Sequence, residues 1–494
     1  MRLAELVEGT TARMTTLETA RDIEIRGITA DSRQVSEGVL FAAIPGTRAD
    51  GRDFIPDALK RGAAAVLAPT GTRLPEGTSA AALVTDDNPR RALSLMAAHF
   101  HGAQPAFIAA VTGTNGKTSV AAFCRQLWAG TGEKAASLGT MGLVPEVADN
   151  PGKLTTPDPV ALHRCLAQLA EQGYDRLAIE ASSHGLHQYR LDGLKVRAAA
   201  FTNLSLDHLD YHGDMASYLG AKRRLFADLL ETGGTAVLNA DAPESATLAE
   251  TCGARGITAW QYGEHDGSDI QLAKREPELT GQRLTLSVFG ATYRVRLPLV
   301  GRFQAMNALA ALGLVLASGM DREAAIAGLE SLEGAPGRLQ RVAETPVGAQ
   351  VFVDYAHTPD ALQTVLEALR PHVAGRLIVV FGCGGDRDRG KRPVMGGTAA
   401  RLADKAIVTD DNPRSEDPAA IRREILESSP GAVEVGDRGA AIDGAIADLA
   451  AGDVLLIAGK GHETGQIVGE TILPFDDAER ARAAIAQIKA GGDA

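Results

Sequence analysis

Residues 108–119 read IAAVTGTNGKTS, and no other stretch restricts the fold as much. An apolar, strand-like run from Phe107 to Val111 breaks into a glycine-rich turn, which opens into the helix-compatible VAAFCRQLW. Strand, glycine loop and helix in that order form a cradle for a polyphosphate. Glycines let backbone N–H groups face the ligand, and the helix N-terminus favours negative charge. Gly113, Thr114, Asn115, Gly116, Lys117, Thr118 and Ser119 are the expected nucleotide contacts. Lys117 has the reach for the β- and γ-phosphates, and the Thr118 hydroxyl suits Mg²⁺. The full spacing G-x4-G-K-[ST] would put glycine at 111, where the chain has Val111, so the loop is the shorter variant GTNGKT.

Around this loop the chain reads as a multidomain α/β protein. At 494 residues it is too long for one core. The net charge of −12 argues against nucleic acid as a general partner, so nucleotide substrates need local basic sites. The start, MRLAELVEGT, is no secretory signal, and no run approaches a membrane span, which leads to the expectation of a cytoplasmic enzyme without membrane insertion. The four cysteines are far apart without a C-x-x-C pair and read as reduced thiols.

Strand-like runs alternate with helical stretches along the whole chain. In the first hundred residues they are GVLFAAIPG and GAAAVLAP; in the middle, DRLAIEAS, VRAAAFTNLS and TAVLNAD. That alternation implies a parallel sheet covered by helices. The segment AQPAF precedes the phosphate loop, and Gly334-Ala335-Pro336-Gly337 interrupts a helical pattern, so the expected domains are 1–103, 104–335 and 336–494. The last domain has the runs QVFVDY, RLIVVFG, KAIVTDD and DVLLIAG, and resembles a doubly wound dinucleotide-type sheet. Each run ends in a polar motif: Asp354, then GCGGDRDRGKRP, DDNPR and GKGHE. Ligands in such sheets bind outside the C-terminal strand ends, so four motifs there suggest one shared site.

Taken together, these motifs resemble the Mur ligases. The resemblance runs in family order from DSR (31–33) through GTNGKT, TTPD, EASSHGL, NLSLDHLDYHG, GAKRRLF, NALAA, GRLQRV, DYAHTPD, GCGGDRDRGKRP and DNPR to GKGHE. It is strongest to the members that add diaminopimelate to a nucleotide-linked muramoyl dipeptide in peptidoglycan synthesis. The implied fold is a nucleotide-sugar-binding N-terminal domain, a central P-loop ATPase sheet and a C-terminal Rossmann-like sheet that binds the incoming amino acid. The implied chemistry is ATP-dependent amide ligation through an acyl phosphate, with Mg²⁺, and the expected state is a monomer. The implied substrates are UDP-N-acetylmuramoyl-L-alanyl-D-glutamate and meso-diaminopimelate.

The resemblance also assigns residues. Lys117, Lys222 and His208 carry the catalytic roles, and Thr118, Glu180, His208 and Lys222 the metal, Lys222 as a carbamate. Read alone, Glu180 is a strand-end carboxylate in the sheet of the phosphate loop, and Lys222 lies in a basic helical patch. Ala30, Ser32, Thr47, Arg48 and Ala49 match contacts to the nucleotide sugar; Thr155, Thr156, Ser182, Gln188 and Arg190 match contacts to the muramoyl peptide. Asn307, Arg338, Asp354 and His357 match the surroundings of ATP. Arg387, Asp411, Asn412, Pro413, Arg414, Gly459 and Glu463 match contacts to the amino acid. A guanidinium grips a carboxylate through two parallel hydrogen bonds, which makes Arg414 the expected reader of the far carboxylate of diaminopimelate; Glu463 suits an ammonium.

Other readings compete. A lysine-adding ligase is close, a folylpolyglutamate synthase more distant, and a non-ligating nucleotide-binding module a different class. His184 and His187, or His208 and His212, have zinc-compatible spacing, but neither segment is H-E-x-x-H. DDNPR occurs twice, and the first copy, 86–90, reads as a strand-to-helix turn with Asn88-Pro89 starting the helix.

Overall fold

A computed structural model describes residues 1–14, 18–46, 49–76, 81–146, 151–152 and 154–492. Thr47 and Arg48 lie outside the described residues. The chain divides into two compact units, Met1–Tyr262 with Ala310–Asp321, and Gly263–Leu309 with Arg322–Ala494.

The first unit opens with a five-stranded sheet ordered 13–14, 82–86, 65–69, 39–42 and 27–29. The strands run parallel except for the two-residue first strand. Leu40, Leu67, Val84, Leu93 and Met96 bury their side chains in one of its cores. The first DDNPR folds as the sequence predicts. Asn88 caps the helix Pro89–His101, its side chain accepting the Arg91 N–H at 3.2 Å.

The central sheet follows in the same unit, in the order 258–263, 230–239, 196–201, 107–112, 176–180, 135–139 and 142–144. All neighbours are parallel except the last pair. The strand Phe107–Thr112 is buried along its whole length, which explains its unbroken apolar run. Leu162, Leu166 and Leu169 of the helix Pro159–Glu171 join the core of this sheet; each leucine contributes about 1.5–3 kcal/mol by leaving water.

The second unit contains a three-stranded antiparallel meander, Ile270–Glu278, Gly281–Val288 and Ala291–Leu297, which no sequence motif announced. Its main sheet is ordered 340–344, 350–354, 454–458, 377–381, 405–408 and 433–434, parallel except at the first strand. Leu362, Leu366, Met395 and Ile425 pack in one core, and Ile442, Ile446, Ala481 and Ile485 in another. Cores built on both faces are the signature of the doubly wound sheet expected for this region. All four expected strand runs are strands, and their polar motifs lie at C-terminal ends. A short hairpin, Gly465–Val468 and Thr471–Pro474, extends beyond the last motif.

All four cysteines are buried and free. No helix among the described residues is long and apolar enough to cross a membrane.

Candidate active site

The glycine loop has the strand–loop–helix form expected of it. Gly116 caps the helix Lys117–Gly130 at φ 91°, a left-handed conformation suited to glycine. Gly113 has no room for a side chain, since a Cβ there would lie 1.9 Å from Thr202 Oγ1. The neighbouring strand braces the loop. Thr114 N–H donates to Asn203 O at 2.9 Å, Asn115 N–H to Asn203 Oδ1 at 3.0 Å, and Thr202 Oγ1 to Asn115 O at 2.6 Å. Lys117 Nζ donates to Gly113 O at 2.9 Å and Thr114 O at 2.8 Å, so its charge sits on the loop itself. Thr118 and Ser119 are buried.

Lys222 is brought to the same place. It is 1% exposed, donates to Gly113 O at 2.8 Å, and lies 4.2 Å from the ring centroid of Tyr218. Burial, then the charge of Lys117, holds its pKa well below that of an ordinary lysine. Tyr218 also bonds Thr114 Oγ1 at 3.2 Å, tying this helix to the loop.

Glu180 ends the strand Arg176–Glu180 and is 2% exposed. Its carboxylate accepts the Thr140 N–H at 2.7 Å and the Thr140 hydroxyl at 3.2 Å. Gly139 makes the space, because a Cβ there would meet Glu180 Oε1 at 2.1 Å. Thr155, Thr156, Ser182, Gln188 and Arg190 are linked nearby. Thr155 bonds Thr140, Thr156 bonds both Glu180 O and Ser182, and Arg190 donates to Thr156 O and Gln188 Oε1. Ser182 additionally caps the helix Ser183–His187.

His208 is half-exposed and has φ 54°. Its ring centroid is 4.9 Å from that of His184, and His184 is 5.5 Å from His212. The histidines therefore cluster, yet among the described residues no three His, Cys, Asp or Glu side chains are grouped to hold a metal ion. Burial, then neighbouring histidines, depresses His212 to about 4, so it is neutral at pH 7.

In the N-terminal sheet region, Ser32 opens a short 3-10 turn capped by Asp31, and Ala30 is exposed beside it. Ala49 O accepts the Gly46 N–H at 2.9 Å. Arg90 of the first DDNPR donates to Pro45 O at 2.6 Å.

The second unit gathers the remaining residues. Asn307 donates to Gln304, which donates to Arg338 O. The Arg338 guanidinium lies 4.8 Å from the Tyr355 ring centroid. Asp354 accepts the Leu339 N–H at 2.6 Å and the Ala356 N–H at 2.7 Å, and burial raises its pKa to about 6. His357 lies three residues beyond it, with its O accepting from Lys391 at 2.8 Å.

The loops after the other strands meet one another. Arg414 has φ 52° and donates to Gly385 O at 2.9 Å; a Cβ on Gly384 would lie 2.7 Å from its Nη1. Arg387 donates to Asp386 O at 3.2 Å. Neither arginine makes an ion pair among the described residues. Pro413, Asn412 and Asp411 are buried, and Asp411 Oδ2 has no hydrogen-bond partner among the described residues. Gly459, at φ 117°, leaves that oxygen room, since a Cβ would sit 2.6 Å from it. Asn412 Nδ2 donates to Glu463 Oε2 at 2.9 Å.

A buried cation that sequence reading passed over joins these loops. Arg392 is fully buried and pairs with Glu416 and Glu424, each at 2.8 Å. Glu416 accepts the Asp386 N–H at 2.6 Å, and Asp386 accepts the Ser415 hydroxyl at 2.6 Å. The network thus ties the loop of Arg387 to the loop of Arg414. Its hydrogen bond to Arg392 holds the Glu416 carboxyl at about 2 against an ordinary 4.5. A depressed carboxyl stabilises the fold above its unfolded pKa, and the contribution fades as pH falls from about 4.5 toward 2. Arg392→Met is expected to cost about 2 kcal/mol at pH 7, less than a fully buried pair because both glutamates are quarter-exposed and can rehydrate. Thermal melts at pH 7 and pH 3 check this: the gap to wild type should narrow at pH 3. A gap that widens there contradicts the pairing.

Comparison with known proteins agrees with this geometry. Three family models match: the Mur ligase family catalytic domain at residues 24–101, the Mur ligase middle domain at 111–315, and the Mur ligase glutamate ligase domain at 337–461. A UDP-N-acetylmuramoyl-L-alanyl-D-glutamate–2,6-diaminopimelate ligase of Caulobacter vibrioides is 55% identical over 93% of this chain and 95% of its own. The protein of that name from Bradyrhizobium diazoefficiens is 53% identical over 94% and 95%. A solved structure of a ligase of that name superposes with a TM-score of 0.73 at 34% identity, covering 94% of this chain and 95% of its own. A MurF ligase from Thermotoga maritima in complex with ADP shares the fold, with a TM-score of 0.62 at 19% identity over 94% and 98%.

Proposed function

This chain belongs to the Mur ligase family, and from that premise we propose that it joins meso-2,6-diaminopimelate to UDP-N-acetylmuramoyl-L-alanyl-D-glutamate at the expense of ATP. The observation that supports this reading most is the second unit's loop cluster. Two arginines without ion-pair partners among the described residues, Arg387 and Arg414, accompany the acidic Asp411 and Glu463. That combination complements a diamino acid with two carboxylates.

The reaction has two steps. A carboxylate oxygen of the glutamyl residue attacks the γ-phosphorus of ATP; the bond to the β–γ bridging oxygen breaks, and ADP leaves with the electron pair. The amine of diaminopimelate then attacks the acyl carbon, the acyl–phosphate bond breaks, phosphate leaves, and the amine proton passes to phosphate or solvent. The first step crowds anions together, so its catalysis is mainly positioning and charge stabilisation. The loop N–H groups and Lys117 serve the phosphates. Asn307, Arg338, Asp354 and His357 serve the remainder of ATP. Ala30, Ser32 and Ala49, with Thr47 and Arg48, hold the nucleotide sugar. Thr155, Thr156, Ser182, Gln188 and Arg190 hold the muramoyl peptide and aim its carboxylate.

Mg²⁺ takes hard oxygen ligands, needs few carboxylates and keeps waters. The buried Glu180 carboxylate fits it, and Thr118, His208 and a carbamate on Lys222 would complete the set, where the ion would offset phosphate charge. The carbamate forms when the neutral Lys222 amine adds to CO₂ and releases a proton, leaving an anionic oxygen pair. The depressed pKa of Lys222 favours that neutral amine. Lys222→Ala is expected to lose most activity and to recover part of it with short carboxylic acids. Equal rescue by chloride salts, or none by the acids, contradicts the carbamate.

We divide the chain into three domains at 1–103, 104–335 and 336–494, for the nucleotide sugar, ATP and the amino acid. One chain then supplies every role, so a monomer working in the cytoplasm suffices. Mass spectrometry of the product tests the reaction. The nucleotide substrate should gain the mass of diaminopimelate less one water, and a product without that gain overturns the proposal.

A further inference from the structure

Beneath the amino-acid site lies a second buried cation with no role so far. Lys460, in GKGHE, is fully buried. Its Nζ donates to Asn412 Oδ1 at 3.0 Å and reaches Glu463 Oε2 at 3.3 Å. Asn412 closes the triangle by donating from Nδ2 to the same Glu463 oxygen at 2.9 Å.

The orientation of the Asn412 amide follows from its partners. The Ile467 backbone N–H, which can only donate, points at Asn412 Oδ1 at 2.9 Å. The amide oxygen therefore faces Lys460 and Ile467, and the amide N–H₂ faces Glu463. Glu463 Oε2 is held from within by two donors, one of them charged. Glu463 Oε1 makes no hydrogen bond among the described residues, and the side chain is one-third exposed. The arrangement leaves one carboxylate oxygen open and keeps the other occupied.

We infer that Lys460 is a positioning residue for the incoming amino acid, acting through Glu463 and Asn412 to present one carboxylate oxygen to a substrate ammonium. This rests on the proposed amino-acid site. A buried Lys460 suits the task because its Nζ reaches both Asn412 Oδ1 and Glu463 Oε2 and so fixes the carboxylate plane from within. Removing it leaves Asn412 Oδ1 short of one donor and frees the Glu463 carboxylate to turn.

The test is a double-mutant cycle read as steady-state constants for each substrate. Lys460→Met is expected to raise KM for diaminopimelate about 10- to 100-fold, the range for a lost charged hydrogen bond. KM for ATP and for the nucleotide should stay within about two-fold. In a Glu463→Gln background, Lys460→Met should change KM for diaminopimelate by less than about three-fold, because the two residues act as one. Lys460→Gln, which keeps a donor for Asn412 without the charge, should fall between Lys460→Met and wild type. Additive effects, or equal losses for all three substrates, would overturn the inference. So would failure of both Lys460 variants to fold, which would make the lysine a structural group. Wild-type enzyme that ignores diaminopimelate would instead sink the proposed reaction, a result separable from all of these.

Discussion

Lys117→Ala is expected to abolish ADP formation while leaving the fold intact. The reason lies in where the charge sits. The Lys117 ammonium rests on the carbonyls of Gly113 and Thr114, in the loop that receives the phosphates. A γ-phosphoryl group in transfer spreads negative charge over its oxygens, and a fixed cation at that place stabilises the transition state more than bound ATP. Losing one such group costs about 10²- to 10³-fold in turnover at the least. The fold should tolerate the change. The loop is held independently by Thr202, Asn203 and Tyr218; Gly113 O keeps its bond from Lys222, and the freed Thr114 O can take water. Circular dichroism and melting temperature should match wild type. Near-normal ADP release from a native-like variant contradicts the role.

Arg414→Ala has the next largest effect, on choice rather than on turnover alone. Diaminopimelate differs from lysine by a carboxylate on its far end. Arg414 is held at a left-handed φ by Gly385 and by the hairpin, whose Ile467 O accepts its N–H at 3.0 Å. Its guanidinium makes no ion pair among the described residues, so a carboxylate can use it in two parallel bonds. With lysine bound, that charge stays unmatched in a partly dry site, and such a mismatch supports discrimination of about 10⁴-fold or more. Removing the guanidinium should reduce the preference for diaminopimelate over lysine, in kcat/KM, by about 10²- to 10³-fold. Arg90, the equivalent arginine of the first DDNPR, donates to Pro45 O beside the N-terminal sheet. Arg90→Ala should leave the preference unchanged. Loss of choice in Arg90→Ala with choice kept in Arg414→Ala would overturn the assignment of the pocket.

Much of this was legible in the sequence because the signals are local. The runs RLIVVFG and DVLLIAG are strands because a sheet covered on both faces buries every residue, and their motifs lie at strand ends by the same topology. Asn88 at the start of Pro89–His101 could be read as a cap because capping needs only the next three residues. What escaped reading depends on distant pairs. Thr202 and Asn203 brace the glycine loop only because their strand lies beside Phe107–Thr112 in the sheet. Thr140 orients Glu180 from 40 positions away. Arg392 and Lys460 sit in strand-end motifs whose shared site was legible, but their complete burial depends on partners from other loops. The meander at 270–297 alternates polar and apolar residues over long arms, without a motif to mark it.

The most direct test of the central claim is ADP release measured across a panel of amino acids, with and without UDP-N-acetylmuramoyl-L-alanyl-D-glutamate. ADP should form at an appreciable rate only when ATP, that nucleotide and meso-diaminopimelate are all present, with lysine a poor substitute. ADP release that ignores the nucleotide, or that runs as fast with lysine as with diaminopimelate, would contradict the account.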